Sequence, residues 1–256
     1  MELLKQQILK KDPGSSIRAK QLGRPANPLL LELAKNPDAD IRRITMYCLK
    51  ETGSPEAAKA FLAALTDEDP QVAGVAVDGL NKMFDPIFVP QLLQAYDKAA
   101  EGSLRCEIAL LLGRAGKAVD LKEIQKRQSA EQDPQALEGC LVALARLGDK
   151  PSQEEFVRRL HASGERARLR FLGYCAAINA PWVLKPLLPL VDAKEKLVHY
   201  GVDARPDLDI DLRTCDLVVN LVAQIAGRKF LFKIEDYKGY ADGQLDEVRK
   251  FLKTVP

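Results

Sequence analysis

Three basic residues recur at a constant interval along the sequence and could bind an acidic partner. Lys82, Arg114 and Arg146 follow one another at steps of 32 residues. Ammonium and guanidinium groups donate charge-assisted hydrogen bonds to carboxylates and phosphates, so three of them in line would form a basic stripe. Cations are also favoured at the C-termini of helices, by about 0.3–1 kcal/mol each. The spacing alone therefore leaves a binding role and a helix-capping role open.

The sequence offers little for catalysis. Its two histidines, His161 and His199, are predicted at a helix end and in an irregular segment, and neither belongs to a His-Glu-x-x-His motif. A Gly-x-Ser-x-Gly elbow and a glycine-rich phosphate loop are also absent from the sequence. A nucleophile or general base needs a partner that orients it, and the sequence contains no recognisable one. We therefore expect no enzyme activity, no cofactor and no metal site.

The basic residues belong to a repeat of 31 or 32 residues. Its equivalent positions are Ile41, Val72, Leu104, Ala136 and Ala167. An acid stands three residues before four of them, where a carboxylate would cap a helix, and Gly or Asn stands twelve residues after four of them, where a helix would end. Prolines that open a second helix occur at Pro55, Pro86, Pro151 and Pro181. Each unit is therefore predicted to be a helix, a short turn and a helix that stacks on its neighbours.

Three phrases resemble bacterial HEAT-like repeats: NPDADIRRITMYCLKETG, DEDPQVAGVAVDGL and DPQALEGCLVALARLG. The resemblance covers roughly residues 28–190, with a degenerate sixth unit at 209–227. It implies an all-α fold, a right-handed α-α superhelix of about six helix pairs with N- and C-terminal capping helices. It also implies that the arginines one residue after the repeated position pair with an acid of the neighbouring unit. These arginines are Arg42, Arg105, Arg168 and Arg213.

The second helices of such a repeat would carry the candidate site on one face. Arg43 and Tyr47 fall two helical turns before the basic position in the first unit, and Arg170 falls at a similar place in the fifth. The predicted partner-binding residues are Arg43, Tyr47, Lys82, Arg114, Arg146 and Arg170. This set predicts a protein partner with an acidic or mixed surface.

Composition limits the other classes of function. The chain has 38 basic and 36 acidic residues, so it lacks the charge excess of a protein that coats nucleic acid nonspecifically. Five cysteines without a Cys-x-x-Cys pair fall in the second helices, which predicts buried thiols and favours a reducing cytoplasm. No apolar stretch reaches 18 residues, and the N-terminal segment does not read as a leader, so we expect a soluble protein without a membrane span.

The repeat is interrupted at two places. The step from Ala167 to Leu212 is 45 residues, and the polar insertion is either a binding loop or a solvated linker. After Gly227, an aromatic stretch over 230–240 either packs beneath the last helix or adds a short two-stranded element. The predicted divisions are an N-terminal capping helix and turn (1–27), regular repeats (28–191), an inserted loop (192–211) and a degenerate last repeat with the C-terminal cap (212–256).

These observations favour a noncatalytic protein-binding scaffold or adaptor that uses the concave face of the repeats. Nucleic-acid binding is an alternative, because a family of DNA-repair glycosylases resembles the same repeats. That function would place aromatic residues and a carboxylate on the inner helices, whereas the single Trp182 opens a first helix. A further alternative is an immunity or regulatory protein that binds a cognate toxin or enzyme.

Overall fold

The chain folds almost entirely into helices. The computed structural model describes residues 1–200 and 210–256, apart from the side chains of residues 118, 200 and 210. These residues form fourteen α-helices, several short 3-10 helices and one two-stranded sheet, so the all-α fold class is confirmed. Contacts divide the chain into two compact units, residues 1–147 and 148–256. The boundary between the units lies inside the stretch predicted as regular repeats.

The first unit is a stack of five helix pairs. In each pair the second helix contacts the second helix of the next pair, so α2, α4, α6, α8 and α10 form one layer. We call the exposed surface of this layer, which includes Tyr47, Asp78, Lys82 and Glu107, the second-helix face. The helices are α1 (Glu2–Leu9), α2 (Ser15–Leu22), α3 (Asn27–Leu33), α4 (Ala39–Thr52), α5 (Ala57–Ala64), α6 (Pro70–Lys82), α7 (Val89–Lys98), α8 (Gly102–Gly113), α9 (Leu121–Ala130) and α10 (Pro134–Leu147).

The predicted helix boundaries are mostly confirmed. The carboxylates of Asp38, Asp69 and Asp133 accept hydrogen bonds from backbone N–H groups in the first turns of α4, α6 and α10. Gly53 ends α4 in the left-handed conformation at φ +61°. Gly116 does not end a helix, because α8 already stops at Gly113 and Gly116 begins a 3-10 turn.

The N-terminal region differs from its prediction. The sequence predicts one capping helix followed by a turn over 1–27, whereas α1 and α2 form a complete helix pair. The second of these helices lies against α4 and buries Ser15 and Ala19. Small side chains on α2 allow this close packing but produce only a weak apolar periodicity, so the sequence pattern predicts a turn there instead of a helix.

Helices α8 and α10 approach each other closely because glycine stands at their contact. A Cβ atom added at Gly139 would lie 2.6 Å from the Cα and 2.7 Å from the carbonyl oxygen of Cys106. A Cβ atom added at Gly113 would lie 2.8 Å from the Cα of Ala143. No side chain fits at these distances, so the two glycines set the spacing between the helices.

The second unit keeps one regular pair and then departs from the repeat. Its elements are α11 (Lys150–Ala162), α12 (Glu165–Ile178), β1 (Lys196–Tyr200), β2 (Ile210–Arg213), α13 (Thr214–Ala226) and α14 (Asp242–Thr254). Between α12 and β1 the chain forms 3-10 helices at Pro181–Val183 and Lys185–Asp192 instead of the predicted first α-helix. Pro186 and Pro189 interrupt this region, because proline cannot donate the backbone hydrogen bonds of a continuous α-helix.

The insertion is not a simple loop. Its two ends pair as antiparallel strands, with Val198 opposite Leu212 and His199 opposite Asp211. Pairing satisfies the backbone N–H and C=O groups of a segment that cannot join the helices. His199, predicted in an irregular segment, therefore lies in β1. The centre of the predicted loop, residues 201–209, lies outside the described residues.

The C-terminal aromatic stretch packs on the last helices. Phe230 stacks on Phe232 with ring centroids 5.5 Å apart, and Phe251 of α14 meets Phe230 edge-on at 6.1 Å. Phe232 also contacts Tyr240 at 5.4 Å. No strand forms over residues 228–240, all of which the structure describes. Of the two predictions for this stretch, packing beneath the last helix is confirmed and the two-stranded element is wrong.

Candidate functional site

A cleft on the second-helix face brings together two of the predicted residues. The N-terminal cleft has a volume of about 670 Å³ and lies between α4, α6 and the segment that connects α1 to α2. Arg43 and Tyr47 project from successive turns of α4 into it. Its remaining lining includes residues of both charges: Lys11, Asp12, Gln71 and Asp78.

Arg43 is held in place, whereas the Tyr47 ring is open to solvent. The Arg43 guanidinium donates from Nη2 to the Asp40 carboxylate at 2.8 Å, and from Nη1 to the side-chain oxygen of Gln71. Tyr47 is 42% exposed, and the Lys50 ammonium lies 5.1 Å from the centre of its ring. The cleft therefore presents an aromatic ring beside an oriented cation.

Lys11 belongs to this cleft, although no sequence pattern predicts it there. Its ammonium lies 2.7 Å from a carboxylate oxygen of Asp40 and 3.1 Å from one of Asp38. The hydrogen bonds to Asp40 and Asp38 raise the pKa of Lys11, and the bond from Lys11 lowers the pKa of Asp38. No spacing rule could connect Lys11 with Asp40, because the repeat is first recognisable after residue 27.

The three cations of the predicted stripe have different environments. Lys82 is exposed and lies 3.4 Å from the carboxylate of Glu51 on α4. Arg114 donates from Nη1 to the backbone oxygen of Asn81 at 2.6 Å and to its side-chain oxygen at 3.0 Å. The guanidinium of Arg114 also lies 4.9 Å from the ring centre of Phe84. Lys82 is thus partly neutralised, and Arg114 is oriented by the end of the preceding second helix.

Arg146 has no such restraint. The part of the chain that the structure describes offers its half-buried side chain neither a hydrogen bond nor an ion pair. Burial, followed by the positive charge of Arg114, lowers the pKa of Arg146. Both arginines line a second cleft of about 480 Å³, the Arg114–Arg146 cleft, together with Lys117 and Asp120. Two cations that disfavour each other are therefore presented to the same space.

Arg170 belongs to the other unit. It lies exposed on α12 in the second unit, whereas the other five predicted residues lie in the first. The six predicted residues therefore do not form one site. Arg43 and Tyr47 line the N-terminal cleft, and Arg114 and Arg146 line the second cleft. Lys82 is exposed at the end of α6, and Arg170 is exposed on α12.

The arginines one residue after the repeated position form ion pairs with acids, as the resemblance implied. Arg42 forms a bidentate ion pair with Asp67 through Nε and Nη2, both at 2.8 Å. Arg105 forms the same bidentate pair with Glu131, at 2.7 and 3.0 Å. Arg168 pairs with Glu195 at 2.5 Å. Each acid belongs to the unit that follows its arginine. Arg213 departs from the column, because it binds Asp216 of its own helix.

The two histidines lie on different elements of the second unit. His161 Nε2 lies 2.8 Å from the backbone oxygen of Pro186, and His199 Nδ1 lies 2.9 Å from the Asp211 carboxylate on the surface of the hairpin. Across residues 1–200 and 210–256, no three His, Cys, Asp or Glu side chains are grouped to hold a metal ion. The described helices also include none with the length and apolarity needed to cross a membrane.

The comparison with protein families agrees with the helix pairs of the first unit. A family model described as HEAT repeats matches residues 26–113, the region of α3 to α8 and thus of three consecutive helix pairs. This part of the chain is similar to HEAT repeats. The Arg42–Asp67 pair and the capping aspartates of α4 and α6 lie within the matched region. No curated protein matches the sequence.

Proposed function

We propose that this HEAT-repeat chain is a noncatalytic scaffold or adaptor that binds another protein through its second-helix face, in the cytoplasm. An immunity or regulatory protein that binds a toxin or enzyme would be one form of this function. The observation that carries the proposal is the N-terminal cleft, in which Tyr47 is exposed beside the oriented guanidinium of Arg43. Tyrosine and arginine are enriched among the residues that contribute most to protein interfaces.

The charges around the cleft indicate the chemistry of the partner. Lys11, Arg43 and Lys50 face Asp12 and Asp78 within or beside the same cleft. Farther along the face, Lys82 and the two arginines add positive charge. A partner with acidic groups beside polar or aromatic ones would complement this surface, whereas a uniformly anionic polymer would meet the carboxylates of Asp78 and Glu107.

A capture experiment with matched variants tests the proposal. The tagged chain is incubated with extract of its native organism, and the captured proteins are identified and rebound as purified components. The double substitution Arg43→Glu with Tyr47→Ala should weaken binding of a genuine partner at least about tenfold, because removal of one hot-spot residue costs about 2 kcal/mol or more. The control is Lys59→Glu, an exposed change on α5, which is the first helix of its pair and lies outside the second-helix face. This variant should bind the partner as the wild type does.

Two results would contradict the proposal. One is a captured partner that binds the double variant and the wild type equally well. The other is binding of duplex DNA at low salt that weakens steeply as salt is added, since this dependence marks contacts with phosphates. The second result would favour the nucleic-acid alternative.

A further inference from the structure

The Arg114–Arg146 cleft contains more positive charge than its own residues neutralise. Arg114, Lys117 and Arg146 contribute three cations, and Asp120 is the one acidic residue among the lining residues that the structure describes. The Asp120 carboxylate already accepts a hydrogen bond at 2.9 Å from the backbone N–H of Lys122 at the start of α9. The cleft therefore has a net charge of +2 without a ligand.

The two guanidiniums also have hydrogen-bond donors to spare. A guanidinium carries five N–H donors. Arg114 uses Nη1 for the two oxygens of Asn81, and its guanidinium lies 4.9 Å from the ring centre of Phe84. Arg146, on the adjacent second helix, makes no hydrogen bond to any described residue. One arginine is thus oriented in advance, and the other is available to close on a ligand.

We propose that the Arg114–Arg146 cleft is a binding site for a phosphate group, either free phosphate or a phosphate ester on a larger ligand. A phosphate dianion matches the net charge of the cleft, and its oxygens accept the paired N–H donors of guanidinium groups. The volume of about 480 Å³ exceeds the size of the ion and leaves room for the group that an ester would carry. Bound phosphate would also offset the repulsion between the two arginines, which adds to burial in lowering the pKa of Arg146.

This site does not depend on the proposed protein binding. A phosphate ion occupies the cleft without a protein partner, so the two proposals fail or succeed separately. The protein partner is tested through Arg43 and Tyr47, which lie outside this cleft.

Calorimetric titration of the full chain at pH 7.5 and low salt tests the site. Inorganic phosphate and O-phosphoserine form the two arms, and glutamate serves as the carboxylate control. We expect the wild type to bind one phosphate group per chain. Arg146→Gln should bind phosphate at least about tenfold more weakly, because it loses charge-assisted hydrogen bonds, which are stronger than those between neutral groups. Lys82→Gln, two repeats before Arg146 at the same position of the repeat and outside the cleft, should bind phosphate as the wild type does. Tighter binding of phosphoserine than of phosphate assigns the site to esters, and the reverse assigns it to the free ion.

The melting temperature separates a ligand site from a structural role. Since Arg146 has no partner among the described residues and lies near another cation, Arg146→Gln should keep or raise the Tm of the ligand-free chain and reduce the rise that phosphate causes. The proposal is overturned if neither phosphate compound binds, if glutamate binds equally tightly, or if the variant binds phosphate like the wild type. A lower Tm of the ligand-free variant would also overturn it, because it would show a structural role for this arginine.

Discussion

Arg105 and Glu131 form a bidentate ion pair that joins consecutive helix pairs of the first unit. Arg105 donates from Nε and Nη2 to the two carboxylate oxygens at 2.7 and 3.0 Å, and from Nη1 to the backbone oxygens of Ala99 and Ala100. Glu131 also accepts from the Tyr96 hydroxyl at 3.0 Å and from the backbone N–H groups of Gln132 and Asp133. The pair therefore fixes the turn before α8 to the turn before α10.

This ion pair should make the stability of the chain depend on acid pH. The hydrogen bond from Arg105, supported by the backbone and Tyr96, lowers the pKa of Glu131 to about 2. Because the folded-state pKa lies below that of the unfolded chain, the contribution is complete above about pH 4.5 and is lost as the pH falls toward 2. We expect Glu131→Gln to cost about 2 kcal/mol at pH 7 and less at pH 3, measured by urea unfolding. Glu123→Gln, in an exposed pair with Arg127, should cost under about 0.5 kcal/mol. An equal loss at both pH values for Glu131→Gln would contradict this account.

The glycine contacts of α8 and α10 should not tolerate a methyl group. Gly139→Ala places Cβ against the backbone of Cys106 and should destabilise the first unit by about 1–3 kcal/mol or more, because the helices must move apart. Gly74→Ala is a matched control on α6, where an added Cβ meets nothing within 4 Å. It should stabilise the helix by about 0.5–1 kcal/mol. Thermal unfolding followed by circular dichroism compares the two, and equal effects would show that the close approach is unimportant.

The cysteines should be unreactive in the folded chain. All five are buried, and burial raises the pKa of Cys48 to about 11 and that of Cys175 to about 12. Since the thiolate is the reactive form, alkylation at pH 7.5 should be slow in native buffer and complete in denaturant. Mass spectrometry after a brief iodoacetamide treatment measures this protection. Rapid native labelling of Cys48 or Cys175 would contradict the buried packing.

The buried Asp216 should hold the C-terminal segment in place. Its side chain is 1% exposed and accepts hydrogen bonds from Arg213 at 2.7 Å and from the backbone N–H of Tyr240 at 2.8 Å. Burial alone would raise its pKa, but these donors hold the pKa below its usual value. Asp216→Asn should therefore destabilise the second unit by about 3 kcal/mol, because it leaves Arg213 without its charge partner.

Hydrogen exchange of residues 228–254 measures the effect of this substitution. The segment should exchange faster in Asp216→Asn than in the wild type. Asp246→Asn, which alters the exposed pair with Arg249, serves as the control and should leave exchange unchanged. Unaltered exchange in Asp216→Asn would show that the aromatic contacts of Phe230 and Phe251 suffice to anchor the segment.

Local chemistry made much of the first unit predictable. The acids that begin α4, α6 and α10 act on backbone groups two or three residues away, and Gly53 ends α4 through its own backbone angles. The partnering of Arg42 and Arg105 with acids of the next unit followed from the resemblance to HEAT-like repeats, and it is confirmed. The 3-10 helices after α12 and the strand pair at the insertion were not predictable from local chemistry. Prolines interrupt the first, and the second depends on backbone pairing between residues far apart in the sequence.

The candidate site was predictable by residue type and less so by arrangement. The sequence alone determined that Lys82, Arg114 and Arg146 recur at the same position of the repeat, because a repeat of constant length places equivalent residues near the same ends of successive second helices. Only the tertiary structure decided that Glu51 pairs with Lys82, that Asn81 and Phe84 orient Arg114, and that Arg146 has no partner among the described residues. It also brought Lys11 to Asp40 across 29 residues. The physical reason is that charge pairing depends on distances of a few ångströms between separate helices, which packing sets and sequence spacing does not.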